Sequence, residues 1–127
     1  MASAMLEHVN FTVKNPEEAA QQLVQIFDWT IRWSGPSLGG GTTVHVGTDE
    51  LYLALYTPVD GVSDAPESYT IKGGLNHVGV LVDDLQSAEQ RVLDAGLKTH
   101  SHQTYDPGSR FYFHTEDGIE FEVVSYS

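Results

Sequence analysis

LEHVNFTV, residues 6–13, is similar to LNHVGVLV, residues 75–82, and this internal repeat indicates a duplicated fold. The two copies are aligned by an offset of 69 positions (77 minus 8), so that His8 corresponds to His77. Because side chains alternate across a strand, each copy has one apolar side and one side that carries the histidine. A helix signal and then three short strand candidates follow each copy. The sequence therefore predicts a βαβββ unit in each half of the chain.

Capping residues and apolar spacing define the two helices. Asn15 and Pro16 begin the first helix, and Asp83-Asp84 begins the second. The predicted buried residues are Ala19, Leu23, Ile26 and Phe27 in the first helix and Leu85, Ala88, Val92 and Leu93 in the second. The strand candidates that follow are residues 30–34, 42–47 and 51–57, and then residues 98–103, 110–115 and 119–125. We therefore expect one domain with module 1 at residues 5–57, a polar linker at 58–74 and module 2 at 75–127.

The composition excludes several classes of partner and site. Eighteen acidic residues against six scattered basic ones give a net charge of -12, so neither nucleic acid nor an anionic membrane is an expected partner. The chain has no cysteine, so a transition-metal site would use imidazole and carboxylate. Neither a signal peptide nor a long apolar run is visible. We therefore expect a cytoplasmic protein.

Polar side chains share one face of the predicted sheets. In the first strand, His8, Asn10 and Thr12 lie opposite the apolar side chains. The same face of the other strands is predicted to carry Tyr52, Ala54, Tyr56, Arg110, Tyr112, His114, Glu120 and Glu122, and the opposite face to carry Leu51, Leu53, Leu55, Phe111, Phe113, Phe121 and Val123. A solvated polar face is the simpler interpretation for any single strand. The repeat favours a site, because an approximate twofold axis can bring two equivalent histidines together.

The repeated histidine motif resembles the vicinal oxygen chelate superfamily, the glyoxalase, bleomycin-resistance and extradiol-dioxygenase group, over almost the whole chain. The segment FHTEDGIEFE, residues 113–122, is similar to the family ending Phe-x-Asp-Pro-Asp-Gly-x-x-x-Glu, with Thr115-Glu116 in place of Asp-Pro. The resemblance implies an α+β fold in which two tandem βαβββ modules form an open, half-barrel mixed sheet around a central cavity. It also implies a divalent cation (Fe, Mn, Zn or Ni) in that cavity.

The resemblance assigns the metal ligands residue by residue. His8 and His77 match the family's first-strand histidines, and Glu122 matches its last-strand glutamate, with Glu120 as the alternative two residues away. A fourth family ligand falls on Ala54, which cannot bind a metal, so the glyoxalase isomerisation is less expected. Two imidazoles and one carboxylate resemble the ligand sets of extradiol dioxygenases and fosfomycin-resistance transferases.

The remaining polar residues have weaker signals. Tyr112, Tyr56 and Glu120 are predicted to be catalytic, and Arg110, Tyr52, Ala54 and Asn10 to bind substrate. Ordinary alternatives are a strand tyrosine for Tyr112 and a solvated arginine for Arg110. His100 and His102 are predicted to share one face of an edge strand as a solvated pair, and neither His45 nor His114 is a first-choice ligand.

Two functions from different classes remain open at the level of sequence. The first is a metal-dependent lyase, isomerase or dioxygenase whose cation acts as a Lewis acid on an oxygen-chelating substrate. The second is a metal-free binding protein, like the bleomycin-resistance members, which sequesters a cationic drug and would suit the acidic chain. Small relatives bury their open sheets against a second copy, so a homodimer is expected.

Overall fold

A computed structural model describes residues 2–127, which form the two predicted βαβββ modules of an α+β protein. The first module contains β1 (His8–Thr12), α1 (Pro16–Phe27), β2 (Thr30–Pro36), β3 (Thr42–Gly47) and β4 (Tyr52–Thr57). The second contains β5 (Val78–Leu81), α2 (Leu85–Asp94), β6 (Thr99–Tyr105), β7 (Gly108–His114) and β8 (Glu120–Ser125). The chain divides into two compact units between Ser63 and Asp64, inside the predicted linker.

The first unit is a four-stranded mixed sheet with α1 packed on its apolar face. The strand order is β1-β4-β3-β2, with β1 parallel to β4 and the other pairs antiparallel. Helix α1 begins where the Asn15 side chain accepts a hydrogen bond from the Glu18 backbone N–H at 3.1 Å. It ends at Phe27, and the capping residue Asp28 has a left-handed φ of 58°. The fully buried core of this unit comprises Ala20, Ile26, Val44, Val46 and Leu55.

The second unit repeats this arrangement. Its strand order is β5-β8-β7-β6, with β5 parallel to β8. The Asp84 side chain caps α2 by accepting a hydrogen bond from the Ser87 N–H at 3.1 Å. Phe113 and Phe121 are fully buried and stack with their ring centroids 5.2 Å apart. The core therefore lies between the helix and the sheet, and the other face of the sheet is left to the polar side chains.

A β-bulge interrupts the second strand of each module. In β2 the register with β3 shifts between Ile31 and Trp33. In β6 the register with β7 shifts between His100 and Gln103. A bulge changes the alternation of side chains, so residues two positions apart on either side of it can lie on opposite faces of the sheet. Ser101, inside the second bulge, has a left-handed φ of 56°.

Several predicted positions need correction. His77 directly precedes β5 rather than lying within it. Leu51, predicted to be buried, is 52% exposed because it precedes β4 in a turn. Leu93 is also exposed, at the carboxyl end of α2. In α1, Ala20 rather than Ala19 is fully buried.

Neither helix in the described part of the chain is long and apolar enough to span a membrane.

Candidate functional site

The strand register places the polar side chains of the second unit side by side on one face. Glu122 pairs with Gly79 on one neighbouring strand and with Tyr112 on the other. Tyr112 in turn pairs with His100, and Glu120 pairs with His114. The alternation predicted for β7 and β8 is therefore observed, because the intervening residues are buried against the helix.

His77 lies between the two glutamates of β8. Its Nε2 is 3.1 Å from Glu122 Oε1, and its Nδ1 is 3.3 Å from Glu120 Oε2. The hydroxyl of Tyr69, from the polar segment before β5, is 3.1 Å from the same Nδ1 and also hydrogen-bonds to Glu120. Each ring nitrogen of His77 therefore has a different carboxylate beside it.

Glu122 is held in place by Arg110. Arg110 Nη1 donates to Glu122 Oε2 at 2.7 Å, and the side chains are only 11% and 15% exposed. The hydrogen bond to Glu122 is the main reason that the pKa of Arg110 is raised above its usual value. The guanidinium also lies 4.3 Å from the ring centroid of Tyr105. Arg110 thus fixes one carboxylate oxygen of Glu122, while the other oxygen faces His77.

Tyr112 is half-buried next to this pair. Its ring meets the His77 ring edge to face, with 5.8 Å between centroids. Burial, followed by the negative charge of Glu122, raises the pKa of the Tyr112 hydroxyl. Tyr112 therefore keeps its proton at neutral pH.

His100 and His102 do not share a face, contrary to the prediction from simple alternation. His100 stacks on His114, with 3.1 Å between their nearest ring nitrogens. His102 instead reaches Glu89 of α2, with 2.6 Å between His102 Nε2 and Glu89 Oε2. The bulge in β6 separates them, since Ser101 adds an unpaired residue between the two histidines.

The polar face of the first unit carries a series of rings. The His8 ring stacks on Tyr52 with 5.0 Å between centroids, and its Nδ1 is 2.9 Å from Glu7 Oε1. The hydrogen bond to His8 is the main reason that the pKa of Glu7 is lowered. His45 also contacts Tyr52, at 4.6 Å between centroids, and burial lowers the pKa of His45. His45 therefore shares the face of His8, as its opposite parity from the buried Val44 indicates.

Ala54 lies in the middle of this face and is only 3% exposed. It pairs with Asn10 on β1 and with His45 on β3. Tyr52 and Tyr56 flank it on the same face and are both half-buried. The placement of Ala54 beside Asn10 and between the two tyrosines agrees with the expected alternation.

The predicted ligand set is distributed over both units. His8 belongs to the first unit, whereas His77 and Glu122 belong to the second and are in contact there. Within residues 2–127, no three histidine, aspartate or glutamate side chains are already arranged as a metal site. Tyr69 was not predicted at this position, because it lies in the segment predicted only as a linker.

Solved structures share the fold over nearly the whole chain. A glyoxylase/bleomycin resistance protein/dioxygenase domain from Frankia sp. EAN1pec is 22% identical, with a TM-score of 0.83 and coverage of 99% of this chain and 100% of that one. The fosfomycin resistance protein FosX from Mesorhizobium loti is 22% identical, with a TM-score of 0.73 and coverage of 96% and 91%. FosX from Listeria monocytogenes, complexed with Mn(II) and sulfate, is 16% identical, with a TM-score of 0.74 and coverage of 99% and 95%. A search of curated proteins found no match.

A family model assigns the chain more directly than these distant structures. The model of the glyoxalase/bleomycin resistance protein/dioxygenase superfamily matches residues 7–113. The matched range includes both His8 and His77 but ends before Glu122. This match covers well over half of the 127 residues, and it agrees with the repeated βαβββ fold. The chain belongs to the glyoxalase/bleomycin resistance protein/dioxygenase superfamily.

Proposed function

We propose that the protein is a metal-dependent enzyme in which His8, His77 and Glu122 bind a divalent cation. The observation that carries this proposal is the distance of 3.1 Å between His77 Nε2 and Glu122 Oε1. A neutral imidazole nitrogen and a carboxylate oxygen both bind divalent transition metals. The pair therefore fits a cation chemically, and its second carboxylate oxygen is already oriented by Arg110.

The environment of both histidines supports the same role. Histidines that bind metals almost always hold their second ring nitrogen against a carboxylate, a carbonyl or water. His8 Nδ1 has Glu7 beside it at 2.9 Å, and His77 Nδ1 has Glu120 at 3.3 Å. In both residues Nε2 is then the nitrogen suited to the metal. Mn(II) in the related FosX from Listeria monocytogenes supports a divalent cation of this kind.

The bound cation would act as a Lewis acid on a small substrate that binds through one or two oxygen atoms. Residues of the chain itself would orient the metal ligands. Arg110 restrains Glu122, and Glu120 restrains His77 or moves a proton near it. Tyr112 keeps its hydroxyl proton at neutral pH and can donate a hydrogen bond to a substrate oxygen. Tyr56, Tyr52 and Asn10 are the candidates for substrate contact from the first unit.

The alanine at position 54 limits the reactions that we expect. An alanine at the position of a fourth ligand leaves more coordination positions for water, dioxygen or substrate. This favours dioxygenation, epimerisation or thiol transfer over the glyoxalase reaction, which uses a second carboxylate.

The second candidate is a metal-free binding protein for a cationic small molecule. The net charge of -12 favours it, and so does the ability of His77 and Glu122 to pair without a cation. The two candidates differ in one respect that can be measured, which is the affinity for a divalent cation.

Calorimetric titration of the purified protein with Mn²⁺ distinguishes them. We expect about one site per chain, and we expect His77→Ala and Glu122→Ala to abolish it. His102→Ala is the matched control, because His102 pairs with Glu89 on the other side of the sheet and should leave the titration unchanged. Unchanged Mn²⁺ binding in both site variants would refute the assignment, and the absence of binding in the unmodified protein would favour the second candidate.

A further inference from the structure

We infer that Tyr69 and Glu120 form a positioning pair that fixes the proton of neutral His77 on Nδ1 and so presents Nε2 to the cation. The inference extends the proposed function and rests on it only for the identity of the ligand at Nε2. Its basis is the three-way contact between the Tyr69 hydroxyl, Glu120 Oε2 and His77 Nδ1. Tyr69 belongs to the segment between β4 and β5.

The number of protons determines the direction of these hydrogen bonds. An ionised carboxylate only accepts hydrogen bonds, and a phenol has a single proton to donate. The proton of Tyr69 therefore goes to Glu120, and the phenol oxygen is left to accept from His77 Nδ1–H. With its proton on Nδ1, neutral His77 has a lone pair on Nε2.

That lone pair points at another acceptor. His77 Nε2 lies 3.1 Å from Glu122 Oε1, so two lone pairs face each other in the neutral state of the imidazole. Two lone pairs that face each other repel, and a divalent cation between the two atoms would replace this repulsion with two attractive contacts. The contact network around Nδ1 therefore leaves Nε2 and Glu122 Oε1 available for the proposed metal.

A tyrosine phenol carries its proton at neutral pH. The Tyr69 hydroxyl therefore has a proton to donate to Glu120.

The local backbone holds Tyr69 over the sheet although its side chain is 55% exposed. The Tyr69 N–H donates to Glu67 Oε1 at 2.9 Å, and the Gly74 N–H donates to the Ile71 carbonyl at 2.9 Å. A Cβ on Gly74 would stand only 2.5 Å from the Ser68 carbonyl oxygen. Gly74 thus permits the close turn that precedes His77, and a side chain there would force the turn to open.

The direct test uses the metal-free protein. Long-range ¹H–¹⁵N correlation spectra report which ring nitrogen of neutral His77 carries the proton. We expect the Nδ1–H tautomer in the unmodified protein and a smaller share of it in Tyr69→Phe, in which only the direct contact with Glu120 remains. Tyr126→Phe is the matched control, because Tyr126 is exposed to a similar degree (57%) and should leave the tautomer unchanged.

Metal affinity provides the second measurement. Residues that orient a metal-binding histidine contribute about 10–100-fold to metal affinity, so Tyr69→Phe should weaken Mn²⁺ binding within that range. Gly74→Ala should act in the same direction while leaving the hydroxyl of Tyr69 in the chain. A neutral His77 that carries its proton on Nε2, or a Tyr69→Phe variant with unchanged tautomer and unchanged Mn²⁺ affinity, would overturn the inference. If the unmodified protein binds no Mn²⁺, the proposed function fails, and the tautomer spectra alone still decide the role of Tyr69.

Discussion

Replacing Ala54 by glutamate tests whether this position faces the proposed cation. Ala54 is 3% exposed and lies between Asn10 and His45 in the register of the first sheet. The larger side chain must displace its neighbours, at a cost of about 1–3 kcal/mol in the free energy of unfolding. Ala54→Gln has the same size without the charge and is therefore the matched control.

In the metal-free protein, the charge of a glutamate at position 54 should lower the free energy of unfolding more than its size does. A buried carboxylate without a partner costs about 3–5 kcal/mol when nothing compensates it, and less when water reaches it. Burial lowers the pKa of neighbouring His45, so this imidazole is neutral at pH 7 and offers only a hydrogen bond. We therefore expect metal-free Ala54→Glu to be about 2–3 kcal/mol less stable than Ala54→Gln.

Mn²⁺ should narrow this difference in stability. A cation at one hundred times its dissociation constant stabilises the folded state by about 2.7 kcal/mol, and each tenfold gain in affinity adds about 1.4 kcal/mol. If the new carboxylate becomes a fourth ligand, Mn²⁺ should stabilise Ala54→Glu by at least about 1.4 kcal/mol more than Ala54→Gln. Urea unfolding of both variants with and without Mn²⁺ measures the difference. Equal stabilisation of two well-folded variants would show that Ala54 does not face the cation.

Three further predictions concern the assembly and the second unit. Sedimentation should show a homodimer at micromolar concentration, because a stable interface of about 1,600 Å² survives such dilution, and a species of 14.0 kDa would contradict this. In a spectrophotometric titration, Tyr69 should ionise near pH 12, and Glu120→Gln should move this step toward the usual value of 10. Because the folded pKa lies above the unfolded one, the stability contributed by Tyr69 is complete below pH 10 and is lost as the pH rises toward 12. Phe121→Ala should lower the free energy of unfolding by about 3–5 kcal/mol, since its ring is fully buried against Phe113. Leu38 is fully exposed, so Leu38→Ala should change the free energy of unfolding by less than about 0.5 kcal/mol. A similar loss of stability in both variants would contradict the assignment of Phe121 to the core.

The fold was predictable because the same pattern of strand, helix and three strands occurs in both halves of the sequence. Apolar residues recur with the period of a strand in β7 and β8 and with that of a helix in α1 and α2. Capping residues such as Asn15 and Asp84 mark where the helices begin, and their side chains make the expected hydrogen bonds. The strand alternation also separated Phe121 from Glu120 and Glu122 correctly, because no bulge interrupts β8.

The features that the sequence did not reveal depend on irregular backbone. His100 and His102 were assigned to one face by alternation, and nothing about Ser101 signals the left-handed conformation that separates them. Tyr69 reaches His77 through turns in a non-periodic segment, for which strand and helix periods predict nothing. His45 was not expected to be a first-choice ligand, and the structure places its ring against Tyr52 on the polar face of the first sheet.

An anomalous difference map from crystals of the protein grown with Mn²⁺ would locate the proposed cation directly. We predict one strong peak per chain within bonding distance of His77 Nε2 and Glu122 Oε1. A peak located elsewhere, such as beside His100 and His114, or no peak in crystals that contain the cation, would contradict the proposed metal centre.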